Sequence, residues 1–298
     1  MKREIILLAL LLVSIAAAGC QEQPPVYNGG VPAGDSMGSG PEGSCDTDDG
    51  MCDVAPSGST NADIFSDIDR DSISSDMVEY YPGTSGYIAH PRADGTYPAV
   101  ILIHEWWGLN DNIKTMADLL ASKGYVVLAV DLYGESTTDS ARAGELAGAI
   151  RADQTRAIEN MRGAVGYLKS LPLVEKGSIA SMGWCFGGGE SLQLALSGEQ
   201  MAATVIYYGN LVDDEEQLSR ITWPVLGVFG DEDKSIPPSA VESFRSALDS
   251  TGVDYEIHQY PGVGHAFANP SGANYAAKET SDAWEKTLAF LDRNLKGQ

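Results

Sequence analysis

The chain has 298 residues, 43% hydrophobic and 20% charged, which is enough for one sizeable core of ordinary globular composition. Its net charge of −23, with no basic cluster, argues against nucleic-acid binding through phosphates and against electrostatic attraction to anionic lipid. Cys20, Cys45, Cys52 and Cys185 form no CxxC pair and no Cys/His cluster, so the sequence calls for no metal.

In chain order, Met1-Lys2-Arg3 is a short basic start, Ile5 to Ala18 is almost wholly apolar, and Ala17-Ala18-Gly19 supplies small residues before Cys20. The apolar run is shorter than the roughly 20 residues that cross a bilayer, so residues 1–19 read as a signal peptide. A Cys directly after Ala-Ala-Gly resembles a lipoprotein signal, with Ala17 where Leu is usual. That resemblance implies a diacylglyceryl group on Cys20 and a membrane-anchored lipoprotein of the cell envelope, outside the cytoplasm.

Residues 20–78 are rich in Gly, Ser, Pro and Asp, and carry twelve acids against Arg70 alone. A segment so poor in apolar groups cannot offset its ordering entropy, so it is expected to be a flexible tether. Gly34-Asp35-Ser36-Met37-Gly38 has the G-x-S-x-G spelling of serine hydrolases but lacks the strand before it and the helix after it that the motif needs. Asp67, Asp69 and Asp71 begin like a calcium loop, which fails at Ser72 and Val78, where the turn glycine and closing Glu belong. Cys45 and Cys52 could close a small disulfide loop in an oxidising compartment.

The texture changes near residue 79, and residues 79–298 read as one catalytic-size domain. Tyr87–His90 reads as an antiparallel first strand after a turn at Pro82-Gly83. Ala99–His104, Tyr125–Asp131, Ser178–Trp184, Ala203–Tyr208, Val225–Phe229 and Tyr255–Tyr260 read as further strands. Helices are expected over Asn112–Ser122, 154–169, Gly187–Leu196, Ala240–Ser250 and Lys278–Asn294. This alternation predicts an α/β fold with a mostly parallel sheet covered by helices on both faces.

Ligands of such sheets bind beyond the carboxyl ends of the strands. Four reactive residues fall there: Glu105, Cys185, Asp233 and His265. Gly183-Trp184-Cys185-Phe186-Gly187-Gly188 stands between a strand and a helix, so Cys185 sits on a sharp turn at a helix N-terminus, whose partial positive charge favours an anion. The backbone N–H of Phe186 then points where an oxyanion would form. Phe229-Gly230-Asp231-Glu232-Asp233-Lys234-Ser235-Ile236-Pro237 offers Asp233 as the acid, with Asp231 as second choice. Gly264-His265-Ala266-Phe267 puts a His on a Gly-flanked loop. Nucleophile, acid and His follow one another in the order used by α/β-hydrolases, with His265 as general base and acid and Asp233 fixing its tautomer. His90, His104 and His258 have no matching partners and read as structural.

These segments, with His104-Glu105-Trp106-Trp107-Gly108-Leu109-Asn110 and Asp131-Leu132-Tyr133, resemble the dienelactone hydrolase family over residues 79–298. The resemblance implies the α/β-hydrolase fold and hydrolysis of a carboxylic ester or lactone through an acyl-thioenzyme, with no cofactor. It also implies that Glu105 helps take the proton from Cys185 and that the Trp106 N–H is the second oxyanion donor. Trp107, Trp184 and Phe267 are candidates to line the acyl pocket. Family members that act on dienelactone hold its carboxylate with two arginines; Gly134-Glu135 and Asn269 stand at those positions here. Loss of such charge-assisted bonds points to a neutral small ester or lactone as substrate. No protein partner is implied. A catalytically silent or redox-responsive surface-binding protein on the same fold is the competing reading.

Overall fold

The computed structural model describes Ile64 and residues 68–297. Cys20, Cys45, Cys52, the Gly34–Gly38 motif and Asp67 lie outside the described residues. After a 3-10 turn at Arg70–Ser72, strands β1 (Ile73–Tyr81) and β2 (Thr84–Pro91) form a hairpin. They are followed by β3 (Tyr97–Ile103), helix α1 (Asp111–Ser122), β4 (Val126–Val130), α2 (Ser140–Ala152) and α3 (Gln154–Ser170). Then come β5 (Val174–Trp184), α4 (Phe186–Leu196), β6 (Ala203–Tyr207), α5 (Glu215–Leu218), β7 (Val225–Gly230), α6 (Pro238–Thr251), β8 (Tyr255–Tyr260) and α7 (Ala277–Leu291), with a π-helical end at Asp292–Lys296.

The eight strands make one sheet in the order β1-β2-β4-β3-β5-β6-β7-β8. β1 and β2 are antiparallel to their neighbours, and β3 to β8 run parallel. The central strands read as unbroken apolar runs because both their faces are covered: every residue from Pro98 to Ile103 and from Val126 to Val130 is buried. From β3 the chain steps one way to β4, then returns across β3 to β5. Parallel crossovers are right-handed, so this reversal puts α1 on one face of the sheet and α3 and α4 on the other. The reversal also opens a crevice at the carboxyl ends of β3 and β5, where Glu105 and Cys185 follow their strands.

The folded body starts earlier than residue 79. β1 begins at Ile73, inside the stretch expected to be tether, and pairs with β2 from Ile73↔Pro91 onward. As an edge strand it buries only Ile73 and Tyr80, so its Ser- and Asp-containing sequence resembles linker. Tyr80 ties it to the body by donating a 2.6 Å hydrogen bond to Asn160 on α3. Asp69 serves as a cap, its carboxylate accepting from the Asp71 N–H. Helix α2 was not foreseen either. Only Ala143 and Ala147 are buried along it, too thin a stripe to stand out as helical periodicity.

Candidate active site

Cys185 follows β5 and stands at the N-cap position of α4 with φ 53° and ψ −117°, a positive-φ conformation that a non-glycine residue adopts at a cost of about 1–3 kcal/mol. The flanking glycines make this turn possible. A Cβ on Gly183 would lie 2.2 Å from the Gly187 carbonyl oxygen, and one on Gly187 would lie 2.3 Å from that of Ile103. Strand, turn and helix therefore pass at backbone contact, and the sulfur is raised at the crevice.

His265 arrives from the loop after β8. Its Nε2 lies 3.1 Å from Cys185 Sγ and its Nδ1 lies 2.7 Å from Asp233 Oδ2. The second oxygen of Asp233 accepts from the backbone N–H groups of Ser235 (2.7 Å) and Ile236 (3.0 Å), so the buried carboxylate is fixed at both ends. Its rival Asp231 is exposed and its carboxylate meets Gln259, at 3.4 Å. Of the two carboxylates, Asp233 is the one that meets His265. Burial alone would depress the His265 pKa; the hydrogen bonds and charges of Asp233 and Cys185 outweigh it and push the imidazole to about 10. Asn274 holds the loop by donating to the His265 carbonyl at 3.0 Å.

Glu105 follows β3 and is 3% exposed. Burial raises its pKa to about 7, against the opposing pull of His265 and of a 2.5 Å hydrogen bond from Asn269 Nδ2. Asn269 is itself oriented by the N–H and hydroxyl of Ser271, both donating to its Oδ1. Phe186 is the first residue of α4, a position whose backbone N–H has no intrahelical acceptor.

These groups share a cavity of about 430 Å³, whose walls include Glu105, Trp106, Trp107, Cys185, His265 and Asn269. Three expected pocket residues stand elsewhere. Glu135 is engaged by Arg142 and is absent from the cavity wall. Phe267 is fully buried against Tyr208 and Tyr260, and Trp184 is buried against Tyr207. Both belong to the floor's packing, because a residue inside a parallel strand's end or beneath a loop faces the core. His104 is also structural. It is buried, its Nε2 accepts from the Leu132 N–H, and its Nδ1–H donates to the Glu105 carbonyl. His90 meets the Pro91 carbonyl, and His258 lies beside Glu256.

Among the wall residues that escaped the sequence reading, two bear most on the site. Tyr208, at φ 36° just past β6, sets its ring edge against His265 at 5.3 Å. It satisfied the same strand-end criterion as Cys185 and could have been found. Arg151, on the unforeseen α2, holds its guanidinium 5.9 Å from the Phe186 ring centroid and gives the cavity wall its Lys/Arg charge. Its field also lowers the buried Glu190, whose pKa burial raises overall and whose carboxylate accepts from Gln154 at 2.6 Å.

Comparison with known proteins shows the family to which the chain belongs. The sequence profile of the dienelactone hydrolase family matches residues 84–295. A Synechocystis protein named "Putative carboxymethylenebutenolidase" is 31% identical over 228 residues, covering 71% of this chain and 92% of its own. Protein usf of Aquifex pyrophilus is 32% identical over 231 residues, covering 74% and 98%. Among solved structures, the dienelactone hydrolase-like promiscuous phosphotriesterase P91 from metagenomic libraries superimposes with a TM-score of 0.70 at 24% identity, over 75% of this chain and 99% of that one. A Klebsiella pneumoniae protein described as a "Putative Dienelactone Hydrolase" gives 0.63 at 26% identity, over 74% and 99%. This chain belongs to the dienelactone hydrolase family.

Proposed function

We propose that the protein hydrolyses carboxylic esters or lactones through a Cys185–His265–Asp233 triad. The observation that carries this reading is the unbroken contact from sulfur to imidazole to buried carboxylate. The proton between sulfur and His265 passes to Nε2, where the raised basicity of the imidazole holds it and Asp233 stabilises the imidazolium and fixes the ring, and the thiolate attacks the carbonyl carbon. The N–H groups of Phe186 and Trp106 receive the oxyanion. Collapse breaks the C–O bond, and the imidazolium protonates the departing alcohol. Water, deprotonated by His265, then cleaves the thioester and releases the acid. Glu105, buried and poised near pH 7, assists removal of the thiol proton when substrate displaces its surroundings. The residues assigned to this chemistry require no cofactor.

The substrate in this reading is a small neutral ester or lactone. Asn269 spends its amide on Glu105, and Glu135 pairs with Arg142. Arg151 is the one Lys or Arg side chain among the described residues of the cavity wall, and its field reaches Glu190. We further propose that lipid on Cys20 tethers the enzyme to a membrane outside the cytoplasm, on the strength of Ala17-Ala18-Gly19-Cys20.

The test is hydrolysis of p-nitrophenyl esters by the wild type, Cys185→Ala and His265→Ala. Turnover confined to the wild type supports the proposal. Alkylation of Cys185 by iodoacetamide without turnover favours the redox-responsive alternative. A preference for carboxylated over neutral esters that disappears in Arg151→Gln would overturn the neutral-substrate reading.

A further inference from the structure

The cavity around Cys185 has a neighbour on the other side of Trp107. Trp107, Asn269 and Gly272 line it and also line a second, outer cavity of about 630 Å³, so the two share a wall. The rest of the outer wall comes from Asn110, Ser136, Thr137, Thr138, Ser271 and Ala273. Among the described residues no lining residue is charged, and Trp107 is the one large apolar side chain. An aliphatic chain would be met by aliphatic side chains, and an anion by Arg or Lys. Neutral hydroxyls and amides around an indole instead suit a group with many hydroxyls and an apolar C–H face.

The polar groups are held in place with bonding capacity left over. Asn110 Oδ1 caps α1 by accepting from the Ile113 N–H at 3.2 Å, leaving its amide N–H groups. Thr137 Oγ1 accepts from the Asp139 N–H at 3.0 Å, leaving its hydroxyl proton. Ser271 donates to Asn269 at 2.7 Å, leaving its lone pairs. The opposing loops are pinned together. The Thr137 N–H donates to the Trp107 carbonyl at 3.0 Å, and Gly108, at φ 85°, passes so near Glu135 that a Cβ would lie 2.3 Å from its carbonyl oxygen. Glu135 turns its charge to Arg142.

We infer that this outer cleft binds the alcohol portion of the ester and that this portion is an uncharged polyhydroxylated group of sugar-ring size. The inference rests on the ester-hydrolase reading. The acyl group is passed to Cys185 in the inner cavity, beside Trp106 and Phe186. The freed sugar hydroxyl takes its proton from His265, and water then releases the acid.

The experiment compares a monoacetylated methyl glucoside with hexyl acetate by acetate release, using the full chain and a Ser136→Ala/Thr138→Val variant, with p-nitrophenyl acetate as reference. Loss of one or two hydrogen bonds predicts a fall of about tenfold in the sugar-to-hexyl ratio of kcat/KM, carried by KM. In the wild type the sugar acetate is expected to be the better substrate. Equal or better turnover of hexyl acetate, or a ratio that the variant leaves unmoved, overturns the inference. If p-nitrophenyl acetate is not hydrolysed at all, the ester-hydrolase reading has failed. The cleft is then judged by tryptophan fluorescence with methyl glucoside: a saturable change weakened in the double variant supports it, and no change refutes it.

Discussion

The imidazole Nε2 of His265 lies 3.1 Å from the sulfur of Cys185, though 80 residues separate them in sequence. Neither residue is brought there by its own segment alone. The β5–α4 turn raises the sulfur, and the loop after β8 delivers the imidazole from three strands away in the sheet. If this contact carries the chemistry, His265→Ala lowers kcat for a p-nitrophenyl ester by at least about a thousandfold. A drop in kcat with KM nearly unchanged, in stopped-flow or steady-state kinetics, is the expected pattern.

Asp233→Asn separates charge and tautomer from packing. An Asn can keep its carbonyl on the Ser235 and Ile236 N–H groups and turn its amide N–H toward His265 Nδ1. That arrangement makes Nδ1 an acceptor and leaves the proton on Nε2, where it cannot take one from sulfur. The expected loss in kcat is about a thousandfold or more, with the thermal midpoint of the variant close to that of the wild type. A fully active variant would remove Asp233 from the mechanism.

Glu105 links activity to stability. Its carboxyl titrates near 7 when folded, because it is buried, against an ordinary value of 4.5. Below pH 4.5 both folded and unfolded states hold the proton, so the group is neutral to folding. Between 4.5 and about 7 only the folded state holds it, so stability falls as pH rises, and above 7 the full cost of about 3 kcal/mol is present. Glu105→Gln is therefore expected to raise stability relative to the wild type at pH 8 and to change it little at pH 4.5, while slowing catalysis. Urea unfolding at the two pH values checks the sign; a variant destabilised more at pH 8 than at pH 4.5 would contradict it.

Gly187→Ala tests the turn beneath the nucleophile. The new methyl would be 2.3 Å from the Ile103 carbonyl oxygen and 2.5 Å from that of His104, both backbone atoms that cannot swing aside. Strand β3 or helix α4 must shift, with a loss of about 2–4 kcal/mol and of activity. Gly166→Ala in α3, where no atom lies within 4 Å of the added carbon, is the control and should be neutral or slightly stabilising.

Much of the site was legible because chemistry and sheet topology leave local marks. β3 and β4 are buried on both faces, so their apolar runs are continuous, and the glycines around Cys185 are demanded by backbone contacts within a few residues. Motif spacing ranked Asp233 first and Asp231 second, but only the fold shows which carboxylate is buried against His265. Strand β1 was hidden because an edge strand half open to water has the composition of a linker. Helix α2 was hidden because two buried alanines make no apolar stripe, and with it Arg151 was missed. Trp184 and Phe267 were expected in the pocket because they adjoin reactive residues, but neighbours along a strand or loop can point to opposite sides.

The most direct test of the account is rapid-quench mass spectrometry of the protein during hydrolysis of a slowly deacylated ester. The account predicts a transient gain of one acyl group on the peptide containing Cys185, absent from Cys185→Ala and lost at neutral pH as product acid appears. Sustained hydrolysis with Cys185 never acylated, or undiminished turnover by Cys185→Ala, would contradict it.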